Sequence, residues 1–183
     1  MALDRAVELF WANGLQGTSL DDLGAAMGMG RPSIYNAFGD KEQLFLKALA
    51  RYRDTVGSTT LRAMESIDQI GSALDAFFSQ IVNYATEDSS HLGCLFGSVA
   101  IATSTESVQA FLRDNLEWLQ TQLAARLQAA VETEQLPPSF PVETGARRAV
   151  DELLSIAVRA RMGLPRDELM AAVHDATLSV LAA

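Results

Sequence analysis

The chain has one cysteine and two histidines among its 183 residues. A single thiol excludes a disulfide framework within the chain and points to a reducing compartment. His91 and Cys94 have an H-x-x-C spacing, but two potential ligands do not make a metal site. No metal or cofactor is expected. With 12 glycines and 5 prolines the chain is neither collagen-like nor of low complexity. The longest uncharged run, Ser89 to Thr105, spans 17 residues rich in serine and threonine. It is too short and too polar for a membrane span. Asp4, Arg5 and Glu8 interrupt the first ten residues, so no signal-peptide stretch is expected. The reading is a soluble, cytoplasmic protein without a membrane partner. No alternating run flanked by hairpin turns is found, so strands are not expected.

Basic charge is also scarce. There are 14 basic and 23 acidic residues, a formal net charge of −9. Taken globally, that balance disfavours nucleic acid, because phosphates are neutralised by Lys and Arg. The deficit is uneven, however. Residues 1–54 are nearly balanced (Arg5, Arg31, Lys41, Lys47, Arg51 and Arg53 against seven carboxylates), and the acid excess sits in the rest of the chain. A local basic face is therefore open to the first third, and the asymmetry suggests two tasks on one chain.

What the sequence has in abundance is apolar residues at helical spacing. Hydrophobic residues make up 49% of the chain, enough for a core without disulfides. Leu3, Val7 and Phe10 begin the pattern, with a stop at Asn13-Gly14. Thr18-Ser19 precedes a short helix over Leu20 to Ala26, with Asp21 and Asp22 in its first turn. Gly28 interrupts. A third short helix runs from Arg31 to Ala37, with Pro32 in its first turn, where a missing N–H costs little. Asp40 opens a long helix from Lys41 toward Met64. Wide apolar faces follow at Ile70 to Ala85 and Val108 to Val131. Pro137, Pro138 and Pro141 mark a loop, and two final helices span about Glu143 to Met162 and Arg166 to Leu181. The predicted fold is all-α with about nine helices.

The stretch Thr18 to Phe45 has the form of a helix-turn-helix. Gly28 supplies a turn conformation that needs no Cβ. Leu23, Met27 and Ile34 are spaced to pack the two helices together, which leaves Arg31, Ser33, Tyr35 and Asn36 outside. These side chains suit phosphates and base edges. A-V-E-L-F followed by Gly14, T-S-L-D-D-L, A-A-M-G-M, P-S-I-Y-N-A-F and K-E-Q-L-F occur in order over about residues 3–50. In these segments the chain resembles the DNA-binding domain of the TetR family of transcriptional regulators. Beyond them the likeness is in length, helical pattern and the G-C-L segment at Gly93 to Leu95.

The resemblance implies a homodimeric repressor that binds double-stranded DNA at a palindromic operator. It implies a helix-turn-helix domain at residues 1–48 and a helical ligand-binding and dimerisation domain at 49–183, with an unidentified small-molecule effector. Thr18 and Ser19 fall where the family caps its second helix and touches a phosphate. Tyr35 falls on the recognition-helix tyrosine, and Lys41 on the lysine that opens the fourth helix, another phosphate contact. Arg31, Pro32, Ser33 and Asn36 occupy base-reading positions, and Arg31 is suited to bidentate pairing with guanine. Two positions depart from the family pattern. Gly30 stands where serine is usual, and Gly24 lies inside the second helix at a cost of about 0.8–1 kcal/mol relative to Ala.

The middle helices carry a cluster suited to a ligand cavity: Phe77, Phe78, Ile81, Tyr84, Cys94, Phe96, Phe111, Asn115 and Trp118. Ordinary core is the competing reading for each of them. Cys94 is either a small buried hydrophobe or a redox sensor. The expected two-fold seam is Val150, Leu153, Leu154, Ala157, Leu169, Val173, Ala176 and Val180. No nucleophile–base pair, phosphate loop or metal spacing suggests an enzyme. A redox-responsive regulator acting through Cys94, or a helical small-molecule-binding protein without a DNA role, are the alternatives.

Overall fold

The computed structural model describes residues 1–89 and 92–183; His91 lies outside them. Among the described residues the structure is helical, without strands: α1 Ala2–Gly17, α2 Leu20–Met27, α3 Arg31–Phe38, α4 Lys41–Tyr52, α5 Ser58–Glu65, α6 Ile70–Thr86, α7 Glu106–Glu132, α8 Val142–Arg161, α9 Arg166–Ala171 and α10 Val173–Leu181. The last two abut at Ala172. The expected stop after Asn13 is a break at Gly14, with φ 71°, after which the helix continues to Gly17. The single long helix expected from Lys41 is α4 and α5 joined by a π-helical turn, Arg53–Gly57. A second π turn, Leu95–Val99, and a short 3₁₀ turn, Ala100–Ala102, precede α7. Isolated π turns of this kind recur at functional sites.

Two apolar clusters hold the chain together. The first gathers Phe10, Leu23, Ile34, Leu44, Phe45 and Tyr52 from the first four helices, with Leu95, Val99 and Val108 from the later chain. Phe10 meets Phe45 edge-on at 4.8 Å, and Arg51 ties α4 to α1 by donating to Asp4 at 2.7 Å. The second cluster joins α6, α7, α8 and α10 around Phe77, Phe78, Leu123, Leu127, Ala149 and Val180. Local polar groups set the ends. Ser19 accepts from the Asp22 amide at 3.1 Å, and Asp40 from the Gln43 amide at 2.8 Å. Gln135, far along the chain, accepts from the Ile70 amide at 2.8 Å, satisfying one of the donors orphaned at the start of α6.

The residues expected for a two-fold seam lie largely within the protomer. Ala157, Leu169, Val173, Ala176 and Val180 are buried within the protomer. Val150, Leu153 and Leu154 face a cavity between helices. Those stripes are occupied by α8 and α10 packing on α6 and on each other. The apolar side chains that the last helices leave outward are others: Val158, Met162 and Leu178, at 44%, 75% and 50% exposure.

Candidate nucleic-acid interface and effector cavity

Helices α2 and α3 form the expected helix-turn-helix. Gly28 takes a left-handed conformation with φ 66°, and the Met29 amide donates to the Gly24 carbonyl at 2.9 Å. This closes α2 as a helix ending in a left-handed glycine does. Gly24 now has a reason. A Cβ there would stand 2.8 Å from the Met29 carbonyl oxygen, so the residue that propensity disfavours is the one the turn can accommodate. Ile34 is fully buried and anchors α3, whereas Arg31, Pro32, Ser33, Tyr35 and Asn36 are all exposed on its outer face. Gly30 gives α3 no side-chain cap, so the amides of its first turn stay open toward the same side.

Three expected contacts sit differently. Thr18 is buried, and its hydroxyl donates to the Gly14 carbonyl at 2.7 Å; its side chain is not on the outer surface. Its place in the sequence beside the cap hid this back-bond to the end of α1. Ser19 is exposed, but its hydroxyl donates to the Asp22 carboxylate at 2.6 Å. That hydroxyl, followed by the Ser19 amide, holds the Asp22 carboxyl below its usual range. Lys41 is half-buried, and its ammonium donates to the Leu15 and Thr18 carbonyls at 2.8 and 3.0 Å. It therefore secures the end of α1 while standing at the N-terminus of α4.

Arg31 is already engaged. Its Nε and Nη2 donate to both oxygens of Asp21, at 2.7 and 2.6 Å. This two-pronged hydrogen bond and the guanidinium charge hold the Asp21 carboxyl below its usual range. Asp21 uses the same guanidinium edge that would meet a guanine. One further cation, counted in the charge balance but given no place in the interface, joins this face. Lys47 donates to the Ala37 carbonyl at 3.3 Å and lies over the Phe38 ring at 5.5 Å, an exposed positive charge at the end of α3. Its place six residues after Lys41 on the same helix was the available signal.

The second site is a cavity of about 360 Å³ between the middle helices, within the usual range for small-molecule sites. Of the predicted residues, Phe77, Ile81, Tyr84, Cys94, Phe96, Asn115 and Trp118 line it. Phe78 does not: it is wholly buried, with its ring on that of Phe77 at 5.2 Å. Phe111 also stands back, against Phe96 at 6.1 Å and beneath the Arg53 guanidinium at 5.7 Å. The sequence pass missed Tyr52, Arg53, Val56 and Gly57, which bring the π turn after α4 into the wall. Tyr52 meets Trp11 and Phe96 edge-on, each at 5.0 Å, and its hydroxyl donates to the Cys94 sulfur at 3.6 Å. Burial, then the neighbouring Cys94, pushes the Tyr52 phenol well above its ordinary value.

Among the described residues no group of three or more His, Cys, Asp or Glu is placed to hold a metal, and no helix is long and apolar enough to cross a membrane. A capped helix-turn-helix with an open recognition face, joined to a helical body enclosing a cavity, defines a class of DNA-binding regulators. The comparisons agree. Residues 2–48 match the family model described as bacterial regulatory proteins, tetR family. The HTH-type transcriptional repressor ComR of Escherichia coli (strain K12) is 30% identical over 179 residues, covering 92% of this chain and 82% of ComR. A cysteine mutant of the TetR-family regulator CifR, solved with a 26 bp double-strand operator, is 29% identical with a TM-score of 0.89, covering 97% of this chain and 94% of that one. A putative TetR regulator from Rhodococcus sp. RHA1 is 30% identical with a TM-score of 0.66, covering 98% and 97%. The chain belongs to the TetR family and is a DNA-binding transcriptional regulator.

Proposed function

We propose that the chain is a homodimeric repressor that leaves a palindromic operator when a small molecule fills the cavity. The observation that carries this is a continuity of structure. Helix α4 begins at Lys41, against the end of α1, and runs directly into the π turn whose Arg53, Val56 and Gly57 line the cavity. A ligand that binds better when this turn is displaced favours a different position of α4, and with it of α1 to α3. Only such a difference in affinity shifts the equilibrium. ComR's description as a repressor and the CifR complex with operator DNA support the polarity and the partner.

In this reading residues 1–48 bind DNA and 49–183 bind ligand and partner. Arg31, Pro32, Ser33, Tyr35 and Asn36 meet the major groove, Arg31 after exchanging Asp21 for a base edge. Ser19 and Lys41 approach phosphates through the helix N-termini they occupy. The protomers pair through the outer faces of α8 and α10, around Val158, Met162 and Leu178. Two recognition helices on one two-fold axis then require half-sites about 34–36 Å apart. The protein acts in the cytoplasm, and catalysis is no part of its role.

Selection of bound duplexes from a random pool tests this. Wild type enriches a palindrome with half-sites one turn apart, and Arg31→Ala relaxes one position at a cost of about 1–3 kcal/mol. If protein unfolded and refolded to strip bound ligand still enriches no palindrome at low salt, the reading fails. A second reading is favoured by one contact: Cys94 lines the cavity with its sulfur accepting from Tyr52. If oxidation there is the signal, Cys94→Ser abolishes an oxidant response while sparing operator binding.

A further inference from the structure

We propose that the effector is a small monoanionic amphiphile: an aromatic or medium-length aliphatic carboxylate, its charge on Arg53 and its apolar body among the rings behind. The inference deepens the ligand-release reading above. It begins with charge. In a protein with a net charge of −9, the described residues lining the cavity include no aspartate, glutamate or lysine but two arginines, Arg53 and Arg113. A cationic ligand would find no counter-charge there and would meet two like charges. A neutral apolar ligand would leave the arginines unused.

Arg53 is prepared for an anion. Its guanidinium lies over the Phe111 and Trp118 rings at 5.7 and 5.9 Å. Its acidic neighbour Asp54, to which Nε donates at 3.2 Å, is not part of the lining. The planar fork therefore has room to take a carboxylate in a charge-assisted pair. A second, independent feature marks the interior. Asn115 is buried at 8% exposure and lines the cavity, and its Oδ1 has no hydrogen-bond partner among the described residues. An unpaired buried amide oxygen is costly unless a ligand supplies the missing donor. A hydroxyl or N–H on the ligand body answers it. Because Arg53 opens the π turn that continues α4, a carboxylate drawn onto it acts on the element that leads to the DNA-binding helices.

The test uses matched sets of ligands with the purified chain: phenylbutyrate, phenylbutanamide and phenylbutylamine, extended to phenylalkanoates and n-alkanoates from butyrate to dodecanoate. Affinity is read by calorimetry and by the rise in melting temperature, independently of DNA. Carboxylates are expected to bind best, amides less well and amines least. Arg53→Gln is expected to weaken the carboxylate by about tenfold while leaving the amide nearly unchanged, and Arg53→Lys to restore most of the loss. If Arg53→Gln fails to fold, Arg53→Met carries the same comparison. Amines binding as tightly as carboxylates, equal carboxylate affinity in wild type and the Arg53 variant, or no binding by any carboxylate would each overturn the proposal. A carboxylate that binds in the arginine-dependent way yet leaves operator affinity unchanged upholds the ligand class and overturns ligand release instead.

Discussion

Replacing Gly24 with alanine sets helix propensity against tertiary geometry, and the structure predicts which wins. Gly24 lies inside α2, where alanine is favoured by about 0.8–1 kcal/mol. The new Cβ, however, would stand 2.8 Å from the Met29 carbonyl oxygen and 3.9 Å from Ile34 Cδ1. Met29 cannot simply retreat. Its backbone is fixed by the left-handed Gly28 and by its own amide donating to the Gly24 carbonyl at 2.9 Å. Overpacking of this kind costs about 1–3 kcal/mol, so the net result is a loss of up to about 2 kcal/mol. For a chain of this size each kcal/mol lowers the melting temperature by about 2–4 °C. Operator affinity should fall too, because Met29 and Gly30 lead straight into α3. Thermal melts and operator titration of Gly24→Ala check both. Gly17→Ala, whose Cβ would meet only Asn13 Cβ at 3.5 Å, is the control and should change little. A higher melting temperature for Gly24→Ala would refute the argument.

Three further outcomes are expected. Asp21→Asn releases Arg31 and removes a negative charge beside the recognition helix, so operator binding tightens at low salt; fluorescence anisotropy giving weaker binding would show that Asp21 orients Arg31 rather than competing for it. Because Arg31 depresses the Asp21 carboxyl, the pair's contribution is complete above the ordinary carboxylate value of 3.8 and is lost as pH falls through the lowered one. This is visible as the acid limb of Arg31 mobility by NMR. Tyr52 behaves in the opposite sense: its phenol is raised above 10.0, so the folded state keeps a proton that the unfolded state loses. Stability is full below pH 10 and then falls by about 1.4 kcal/mol per pH unit until the raised value is reached. In urea melts across that range Tyr52→Phe should remove this slope. Asn115→Leu discards the unpaired oxygen and should stabilise the free protein by about 1 kcal/mol, measured by thermal melting without ligand; a destabilised variant would mean that Oδ1 is satisfied.

The helix-turn-helix was readable because its determinants are local. Ser19 and Asp40 cap within three residues, Gly28 breaks the chain where it stands, and Ile34 buries one face of a short helix. What was not readable depends on groups brought together from afar. Thr18 and Lys41 reach carbonyls left open at the end of α1, Lys41 from more than twenty positions away. Arg31 finds Asp21 ten positions back, across the turn. The stripes expected for the dimer seam raise a different point. Helices α8 and α10 are apolar on more than one face, and periodicity identifies a stripe without saying whether the protomer's own α6 or a partner covers it. The wider stripe went to the protomer, and Val158, Met162 and Leu178 were left outside. The π turn at Arg53–Gly57 carries no proline, so the sequence read straight through it as regular helix.

That turn decides how the two ends of the molecule can communicate. A regular helix from Lys41 to Glu65 would present the cavity with a rigid wall. A π turn places a wider, less favourable segment there, between Tyr52, which is packed on Trp11 of α1, and Gly57, whose Cβ position lies 4.0 Å from the Trp118 ring. The two halves are also joined where Ser107 of α7 donates to Glu42 of α4 and where Arg161 of α8 donates to the Ala12 carbonyl at 3.4 Å. These two contacts are points about which α1 and the start of α4 can pivot on the helical body, while the cavity acts near the far end of α4. In the ligand-release reading proposed above, a ligand pressing on Arg53 tilts α4 about these contacts as a pivot and carries α1 to α3 with it. In the proposed dimer such a tilt would change the spacing of the two recognition helices twice over, once in each protomer. A small movement at the cavity is then enough to take both out of register with successive major grooves.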